Sequence, residues 1–407
     1  MSFVDALFTS TSAVCVTGLI VQDTATFFSS FGQVVIIVLI QLGGLGIMTF
    51  STLILMVAGK RISIKDRIII QNGFQSSAPR DMTSLVKNIF LYTLTIEFLG
   101  CLSLFLRWQR QFSCLQALFH SVFHSISAFC NAGFSRFSQN LAGYRGDIWV
   151  NLTMILLIVL GGLGFLVLQE LKEGFSGIIR RKKIHLSLHA RLVLTLTSCL
   201  IFFPFIIFFI IERNNSLKMF SLKEKILASL FQTVTPRTAG FNTMELGTLG
   251  VASAFLLIIL MFIGASPGST GGGVKTSTVG VILAFLRSRI AARDSVNIFY
   301  RTLPQESVTR AYTLVTLALS LLAFSSFVLF ITQPWARMVE VLFEVFSAFG
   351  TVGLSLGITP KLSSLGKIMI ILTMYIGRIG PLTFLYAFSR YRAFGRYDYL
   401  EENVMIG

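Results

Sequence analysis

Thr351-Val352-Gly353 is the last of four short tripeptides, each ending in glycine, that decide the fold of this chain. The other three are Val16-Thr17-Gly18, Asn131-Ala132-Gly133 and Thr238-Ala239-Gly240, so the glycines are spaced by 115, 107 and 113 residues. Each tripeptide follows a short apolar segment that contains the pair Leu-Phe, and each precedes a long hydrophobic stretch. This recurrence predicts four copies of one structural unit in a single polypeptide.

The composition is that of a membrane protein. Of the 407 residues, 54% are hydrophobic and 13% are charged, and the mean hydropathy is +0.77, outside the usual balance of a soluble domain. A helix needs about 20 apolar residues to cross a bilayer core of roughly 30 Å. Six apolar runs reach that length, at about 34–57, 85–106, 148–168, 192–211, 314–331 and 368–388, and a seventh at 251–285 is interrupted. We therefore expect an all-α polytopic membrane protein.

The net charge of +16 is distributed in a way that indicates membrane orientation and argues against nucleic-acid binding. Basic residues cluster just after long hydrophobic segments, at 60–67, 180–183, 287–293 and 390–396. Lysine and arginine accumulate in cytoplasmic loops of membrane proteins. The glycine tripeptides then face the outside, and no soluble basic domain remains to hold a nucleic acid.

The repeating unit consists of a spanning helix, a short entry helix, a glycine loop and a second spanning helix. The predicted units are 1–70, 71–185, 186–298 and 299–407, arranged with pseudo-fourfold symmetry around one pore. The first unit has no room for its first spanning helix between Met1 and the entry segment. We expect either that the chain lacks its natural N-terminus or that its start is misassigned, and the sequence leaves both open.

The glycine loops have the chemistry of an ion filter. Thr351-Val352-Gly353 resembles the start of the TVGYG loop, whose backbone carbonyl groups replace the hydration shell of K⁺ in potassium channels. Glycine suits a loop whose backbone angles a side chain would obstruct. The predicted ion-binding residues are Val16, Thr17, Gly18, Asn131, Ala132, Gly133, Thr238, Ala239, Gly240, Thr351, Val352 and Gly353. Arg237, next to the third loop, is interpreted as a brace because a cation inside the filter would repel K⁺.

The second helix of the third unit is interrupted by a glycine-rich stretch. Neither apolar piece beside it spans the bilayer alone, and irregular backbone at membrane depth must be covered by protein or line a cavity. We expect this stretch to lie below the filter as a gate, the alternative being a surface loop. The predicted gate residues are Gly264, Ser266, Pro267, Gly268, Gly271, Gly272, Gly273, Lys275 and, from the last apolar run, Arg378.

Several of these residues have a second interpretation. Arg378 either opposes cation passage or clamps loop carbonyl groups, and Lys275 either belongs to the gate or marks the cytoplasmic end of the break. Gly43 and Gly161, at a depth similar to Gly264, are either helix-packing residues or hinges. Asp5 and Glu344 in the entry segments either balance Arg237 or raise the local cation concentration.

These motifs resemble those of the Trk/Ktr/HKT superfamily of potassium transporters, in particular the bacterial ion-translocating subunit. The resemblance covers nearly the whole chain and depends on the four single-glycine loops, the sequence Thr235–Thr243, the broken third helix and Ile376-Gly377-Arg378. It implies that the glycines line a K⁺ filter and that the broken stretch and the arginine form an intramembrane gate. It also implies a homodimer in the bacterial cytoplasmic membrane on a cytoplasmic ring of nucleotide-binding subunits, with ATP, ADP or NAD bound by that partner only.

The function expected from the sequence is potassium uptake driven by the membrane potential. The alternative is a secondary transporter that couples K⁺ to Na⁺ or H⁺, although intramembrane Asp and Glu are scarce. An enzyme is not expected, because the sequence offers no catalytic constellation in register.

Overall fold

The computed structural model describes residues 1–46, 82–179 and 186–388. These residues are mostly α-helical, with one short antiparallel ribbon of two strands. The described part of the chain contains no larger sheet. The predicted all-α fold class is therefore confirmed.

The helices follow one another in the order that the repeat predicts. The first unit contains α1 (Phe3–Val14) and α2 (Ser30–Leu45). The second contains α3 (Met82–Trp108), α4 (Cys114–Phe129), α5 (Ile148–Leu163) and α6 (Phe165–Ile179). The third contains α7 (Leu188–Glu212), α8 (Leu222–Val234), α9 (Val251–Phe262) and α10 (Thr276–Ile290). After strands β1 (Asn297–Ile298) and β2 (Arg301–Thr302), the fourth contains α11 (Gln305–Thr332), α12 (Met338–Gly350), α13 (Ser364–Ile379) and α14 (Pro381–Phe388).

Three described helices are long and apolar enough to cross a bilayer by themselves. They are Val86–Trp108 within α3, Leu188–Glu212 and Gln305–Thr332, the first helix of the second, third and fourth units. At 1.5 Å per residue, 25 residues in Leu188–Glu212 cover more than the roughly 30 Å of a hydrocarbon core. Much of their apolar surface is exposed, as at Phe202 and Phe203 (each 59% exposed), which is the surface that lipid would cover.

The short entry helices α1, α4, α8 and α12 lead into the glycine loops. Local capping fixes where several helices begin. Ser2 caps α1 by accepting a hydrogen bond from the amide of Asp5, and Ser221 forms a reciprocal capping box with Glu224 at the start of α8. Such caps satisfy amide groups that have no partner within the helix.

The helices that follow the glycine loops are all broken, which corrects one sequence prediction. We expected an interruption only in the third unit, but α2, α5 and α13 also stop, at Leu45, Leu163 and Ile379. The next residues, Gly46, Gly164 and Gly380, have φ of 83°, 91° and 95°, a conformation that ends a helix and that glycine adopts without a steric penalty. In the second unit the break bends the chain by 106°.

The packed core lies around the entry helices and the glycine loops. Its largest cluster includes Phe129, Ala132, Ala239 and Phe241, all 1% exposed or less. The entry helices are thereby held inside a shell of longer helices. The basic clusters predicted at 60–67, 180–183 and 390–396, and the end of the apolar run at 34–57, lie outside the described residues.

Candidate ion pathway

The four glycine loops share one backbone conformation. In each loop the glycine has a positive φ, and so does the residue two positions before it. These non-glycine residues are Val16 (56°), Asn131 (59°), Thr238 (74°) and Thr351 (50°). A positive φ is uncommon outside glycine, and held in place by its surroundings it is typical of functional sites. The recurrence at one position in all four loops therefore indicates a functional constraint on the backbone.

The four loops meet in a closed ring. A β-carbon built on Gly133 would lie 3.0 Å from the carbonyl oxygen of Ala239. The β-carbons built on the other glycines would also collide with the carbonyl oxygen that precedes the glycine of the next loop, in the pairs Gly18 with Ala132, Gly240 with Val352 and Gly353 with Thr17. The first loop thus adjoins the second and fourth, and the third completes the circle. Only residues without a side chain fit at these four positions.

Hydroxyl groups at the ends of the entry helices brace the ring, and sequence reasoning missed them. The amide of Gly18 donates to Ser12 Oγ and that of Gly353 to Ser347 Oγ, both at 3.1 Å. In the second and third loops, Ser127 Oγ and Thr235 Oγ1 donate to the carbonyl groups of Phe134 (2.8 Å) and Phe241 (2.6 Å). The available signal was a serine six residues before three of the glycines, with Thr235 five before the fourth.

A cavity of about 610 Å³ opens at one end of the ring. All four glycines line it, together with residues that follow them in the chain, such as Ser135, Asn242 and Ser355. Backbone amide and carbonyl groups at a narrow ring below an open vestibule are suited to a small ion that exchanges water for oxygen ligands.

The break in the third unit, residues 263–275, is called here the broken segment. It begins and ends side by side, because the amide of Gly264 donates to the carbonyl of Val274 (2.9 Å). It also packs on the second unit, where Ser266 N donates to Gly162 O (3.0 Å) and Phe165 N donates to Gly268 O (2.9 Å). Ala265, Ser266 and Thr270 are fully buried. The surface-loop alternative is therefore wrong.

The broken segment contacts the end of the loop ring away from the cavity. Asn131 Nδ2 donates to Thr270 Oγ1 at 3.2 Å, and the amide of Gly272 donates to Thr351 Oγ1 at 2.9 Å. Gly271 lies against the hydroxyl of Thr238, where a β-carbon would collide. The contacted residues stand two positions before the loop glycines, whereas the cavity is lined by the glycines and the residues after them. The segment and the cavity thus lie at opposite ends of the loops.

Arg378 joins the broken segment to the first unit. Its guanidinium donates to the carbonyl groups of Thr270 and Gly43, so it adopts the clamping geometry that was one of its two interpretations. Lys275 Nζ donates to the carbonyl of Gly271 (2.6 Å) within the segment. Gly377 also belongs to this site, because its carbonyl accepts the amide of Gly273 (3.3 Å).

Glycines in the following helices allow a close approach to the entry helices. A β-carbon on Gly43, Gly161 or Gly377 would collide with the carbonyl oxygen of Val14, Phe129 or Phe349, respectively. Gly264 has the same relation to Gly272 in the broken segment. The geometry therefore corresponds to the packing interpretation of Gly43 and Gly161.

The charged residues around the ring have separate partners. Arg237 is 4% exposed and donates to Thr197 Oγ1 (3.1 Å), as expected for a residue that supports the third loop. Asp5 pairs with Lys367 at 2.7 Å, and the fully buried Glu344 accepts hydrogen bonds from Ser355 (2.7 Å) and Thr359. Among the described residues, neither carboxylate forms an ion pair with Arg237.

This fold and site define a class: a polytopic membrane protein in which four re-entrant glycine loops of one chain enclose a narrow pathway. The family model for TrkH, described as a cation transport protein, matches residues 1–393. The chain belongs to this family of membrane cation transport proteins, which is not a family of enzymes.

Curated relatives match over most of their length. The Ktr system potassium uptake protein B of Bacillus subtilis is 42% identical over 96% of this chain and 86% of that protein. The potassium/sodium uptake protein NtpJ of Enterococcus hirae is 38% identical over 100% of this chain and 90% of that protein. Among solved structures, the potassium transporter TrkH from Vibrio parahaemolyticus has the same fold, with a TM-score of 0.73 and 19% identity over 96% of this chain and 79% of that one.

Proposed function

We propose that this chain carries K⁺ across the bacterial cytoplasmic membrane through the ring of glycine loops, which acts as its selectivity filter. The observation that supports this most strongly is the closed order of contacts around the ring. Each filter glycine lies against the carbonyl oxygen that precedes the next glycine. Four loops so arranged offer a monovalent cation backbone oxygens that carry no net charge, so the ion is held without being trapped.

The choice of K⁺ as the transported ion follows from the relatives and from the first loop. Three relatives that are 37 to 42% identical to this chain are named for potassium uptake. Gly18 leaves the first quadrant of the ring as open as the other three, with a φ of 91° that matches Gly353. All four quadrants can then present the same backbone oxygens to the ion.

The broken segment is proposed as the gate of this pathway. It lies at the end of the filter opposite the cavity, and irregular backbone at this depth is sustained by contacts with the second and fourth units. Arg378 holds it through the carbonyl of Thr270. The cavity would then face outside and the gate would control the cytoplasmic exit, in the orientation that the basic clusters predict.

Ion movement in this scheme is driven by the membrane potential, worth about 2.3 kcal/mol per charge for each 100 mV. Coupled transport of K⁺ with Na⁺ or H⁺ is the second candidate, because one relative is named for potassium and sodium. It is also favoured by Glu97 of α3, a 6% exposed carboxyl group that accepts a hydrogen bond from Gln41 (3.1 Å).

Partners are proposed from the names of the relatives. Several are components of a Ktr system, which suggests a second component for this chain as well. We expect a homodimer on a cytoplasmic ring of subunits that bind ATP, ADP or NAD and control the gate.

The filter is tested by substituting single glycines. In proteoliposomes, Gly18→Ser and Gly353→Ser should reduce the preference for K⁺ over Na⁺, because each places a side chain in one quadrant of the oxygen ring. Gly143→Ser is the matched control, since a β-carbon there would meet no atom within 4 Å. Uptake of ⁸⁶Rb⁺ is measured against ²²Na⁺, with and without a proton gradient, at equal amounts of reconstituted protein. An unchanged ratio in both filter variants would refute the filter assignment.

A further inference from the structure

We propose that the side chains of Asn131 and Thr351 are the catch that holds the broken segment closed across the pathway. This inference rests on the proposed function, because it takes the broken segment to be the gate. It assigns these two residues a positioning role in addition to that of their backbone carbonyl groups.

The argument begins with the arrangement of the loops. The second loop adjoins the first and the third, and the fourth loop likewise adjoins the first and the third. The second and fourth loops are therefore diagonally opposite in the ring. Asn131 belongs to the second loop and Thr351 to the fourth, so their side chains reach the segment from opposite sides.

The two contact points on the segment are close together in sequence. Asn131 Nδ2 donates to Thr270 Oγ1 (3.2 Å), while Thr351 Oγ1 accepts from the amide of Gly272 (2.9 Å). Two residues of extended chain cover at most about 7 Å. A stretch this short that bonds to diagonally opposite loops must lie across the middle of the ring, where an ion leaving the loops would pass.

The equivalent positions in the other two loops make no such bond. The first loop has Val16, which offers no polar side-chain atom. The third has Thr238, whose Oγ1 is buried without a hydrogen-bond partner among the described residues. The catch is thus a property of two quadrants, although all four residues share the same left-handed backbone.

Burial makes the two bonds matter for closure. Asn131, Thr351 and Thr270 are each fully buried, so a bond broken here is not replaced at once by water. Opening the segment must break both bonds, and closing must remake them. Loop and segment therefore stabilise each other, and by thermodynamic linkage a change in one shifts the equilibrium of the other.

The test compares isosteric variants in the complex of this chain with its regulatory partner, reconstituted without activating nucleotide. Thr351→Val removes the acceptor and keeps the shape, and Val16 shows that valine fits this backbone, with φ of 56° against 50° for Thr351. We expect closed-state K⁺ leak to rise about 2- to 10-fold, the factor that corresponds to one hydrogen bond. Asn131→Ala should act similarly, and the double variant should leak most.

Three further variants separate the catch from general damage. Thr373→Val removes a buried hydroxyl bond to Ser325 (3.0 Å) between α11 and α13, and it should leave the leak at its original level. Thr351→Ser keeps the hydroxyl and should leak less than Thr351→Val. Thr238→Val measures what a valine at this position does without loss of a bond, so the leak of Thr351→Val must exceed its leak.

The outcomes distinguish the catch from the gate. If deleting 266–271 raises the leak but Thr351→Val and Asn131→Ala do not, the catch is overturned and the gate remains. If the deletion also fails to raise the leak in correctly assembled protein, the gate assignment falls and the catch with it. A leak that has lost its K⁺ preference over Na⁺ indicates filter damage and also counts against the catch.

Discussion

The two ends of the glycine loops differ in symmetry. At the cavity end, all four loops repeat one conformation and one contact order, with glycine φ between 71° and 91°. At the other end, only the third unit supplies the broken segment, and only the second and fourth loops bond to it. Coordination of a spherical ion requires equivalent ligands from all sides, whereas obstruction requires a single segment. The comparison teaches that a repeated unit can keep selection symmetric while one altered copy provides control.

The largest effect is expected from breaking the symmetric end. Gly353→Ala should reduce K⁺ uptake about 100-fold or more, because backbone strain of about 1–3 kcal/mol adds to a collision with the carbonyl of Thr17. Gly133→Ala should cost only about tenfold, since its φ is 71° and its β-carbon would lie 3.0 Å from the nearest oxygen. Uptake of ⁸⁶Rb⁺ at matched membrane levels provides the measurement. Equal losses would show that the ring tolerates a methyl group uniformly, against the described geometry.

Deleting Ser266–Gly271 breaks the asymmetric end alone. We expect the flux without activating nucleotide to rise by a factor on the order of 100, near the upper limit of typical coupling energies, while K⁺ is still preferred over Na⁺. The control is a deletion of equal length, Asn297–Thr302, which removes the exposed ribbon of β1 and β2. Loss of flux in a properly assembled segment deletion would mean that the segment supports the pore instead of closing it.

Arg378 sharpens the comparison because it connects the segment to the first unit, which makes no catch of its own. Replacing it by Gln should raise the closed-state flux about tenfold, since charge-assisted hydrogen bonds to Thr270 and Gly43 are lost. Lys should restore closure only in part, because it keeps the charge without the planar fork. Single-channel recording or liposome flux is suited to this test. Equal closure in the Gln variant and the original protein would reduce Arg378 to a packing residue.

The smallest effect is expected at the seam between the first and fourth units. Asp5, in the first turn of α1, pairs with Lys367 of α13 at 2.7 Å, and both side chains are about 15% exposed. Asp5→Asn should lower the free energy of unfolding by about 1 kcal/mol or less. The melting midpoint of the detergent-solubilised protein measures this change, with Asp23→Asn as the control at an acidic residue that forms no ion pair among the described residues.

The same pair predicts a pH dependence. The hydrogen bond from Lys367 holds the pKa of the Asp5 carboxyl below its ordinary value. A carboxyl group with a lowered pKa in the folded protein stabilises it above the ordinary pKa, and this contribution is lost as the pH falls through the lowered pKa. The melting midpoints of Asp5→Asn and the original protein should therefore differ near neutral pH and converge only in acid. A difference that persists in acid would assign the effect to packing.

The sequence by itself determined the membrane class, the fourfold glycine pattern and the interruption near Pro267. These are local properties: an apolar run reports its own preference for lipid, and a glycine-rich stretch reports its own inability to continue a helix. The spans at 85–106, 192–211 and 314–331 correspond to α3, α7 and α11 for this reason. The additional breaks after Leu45, Leu163 and Ile379 were missed because the same apolar runs continue past the glycines.

Only the tertiary structure decided which groups meet. Arg378 donates to Gly43, 335 positions away, and Lys367 pairs with Asp5 across 362 positions. The order of the ring and the diagonal placement of Asn131 and Thr351 likewise follow from how the entry helices pack, since each loop is closed by a carbonyl group of the next unit. A backbone carbonyl is the same in every residue, so no residue type in the sequence marks which oxygen a glycine or a guanidinium will reach. That choice is made when the helices pack and place one unit's backbone within bonding distance of another's.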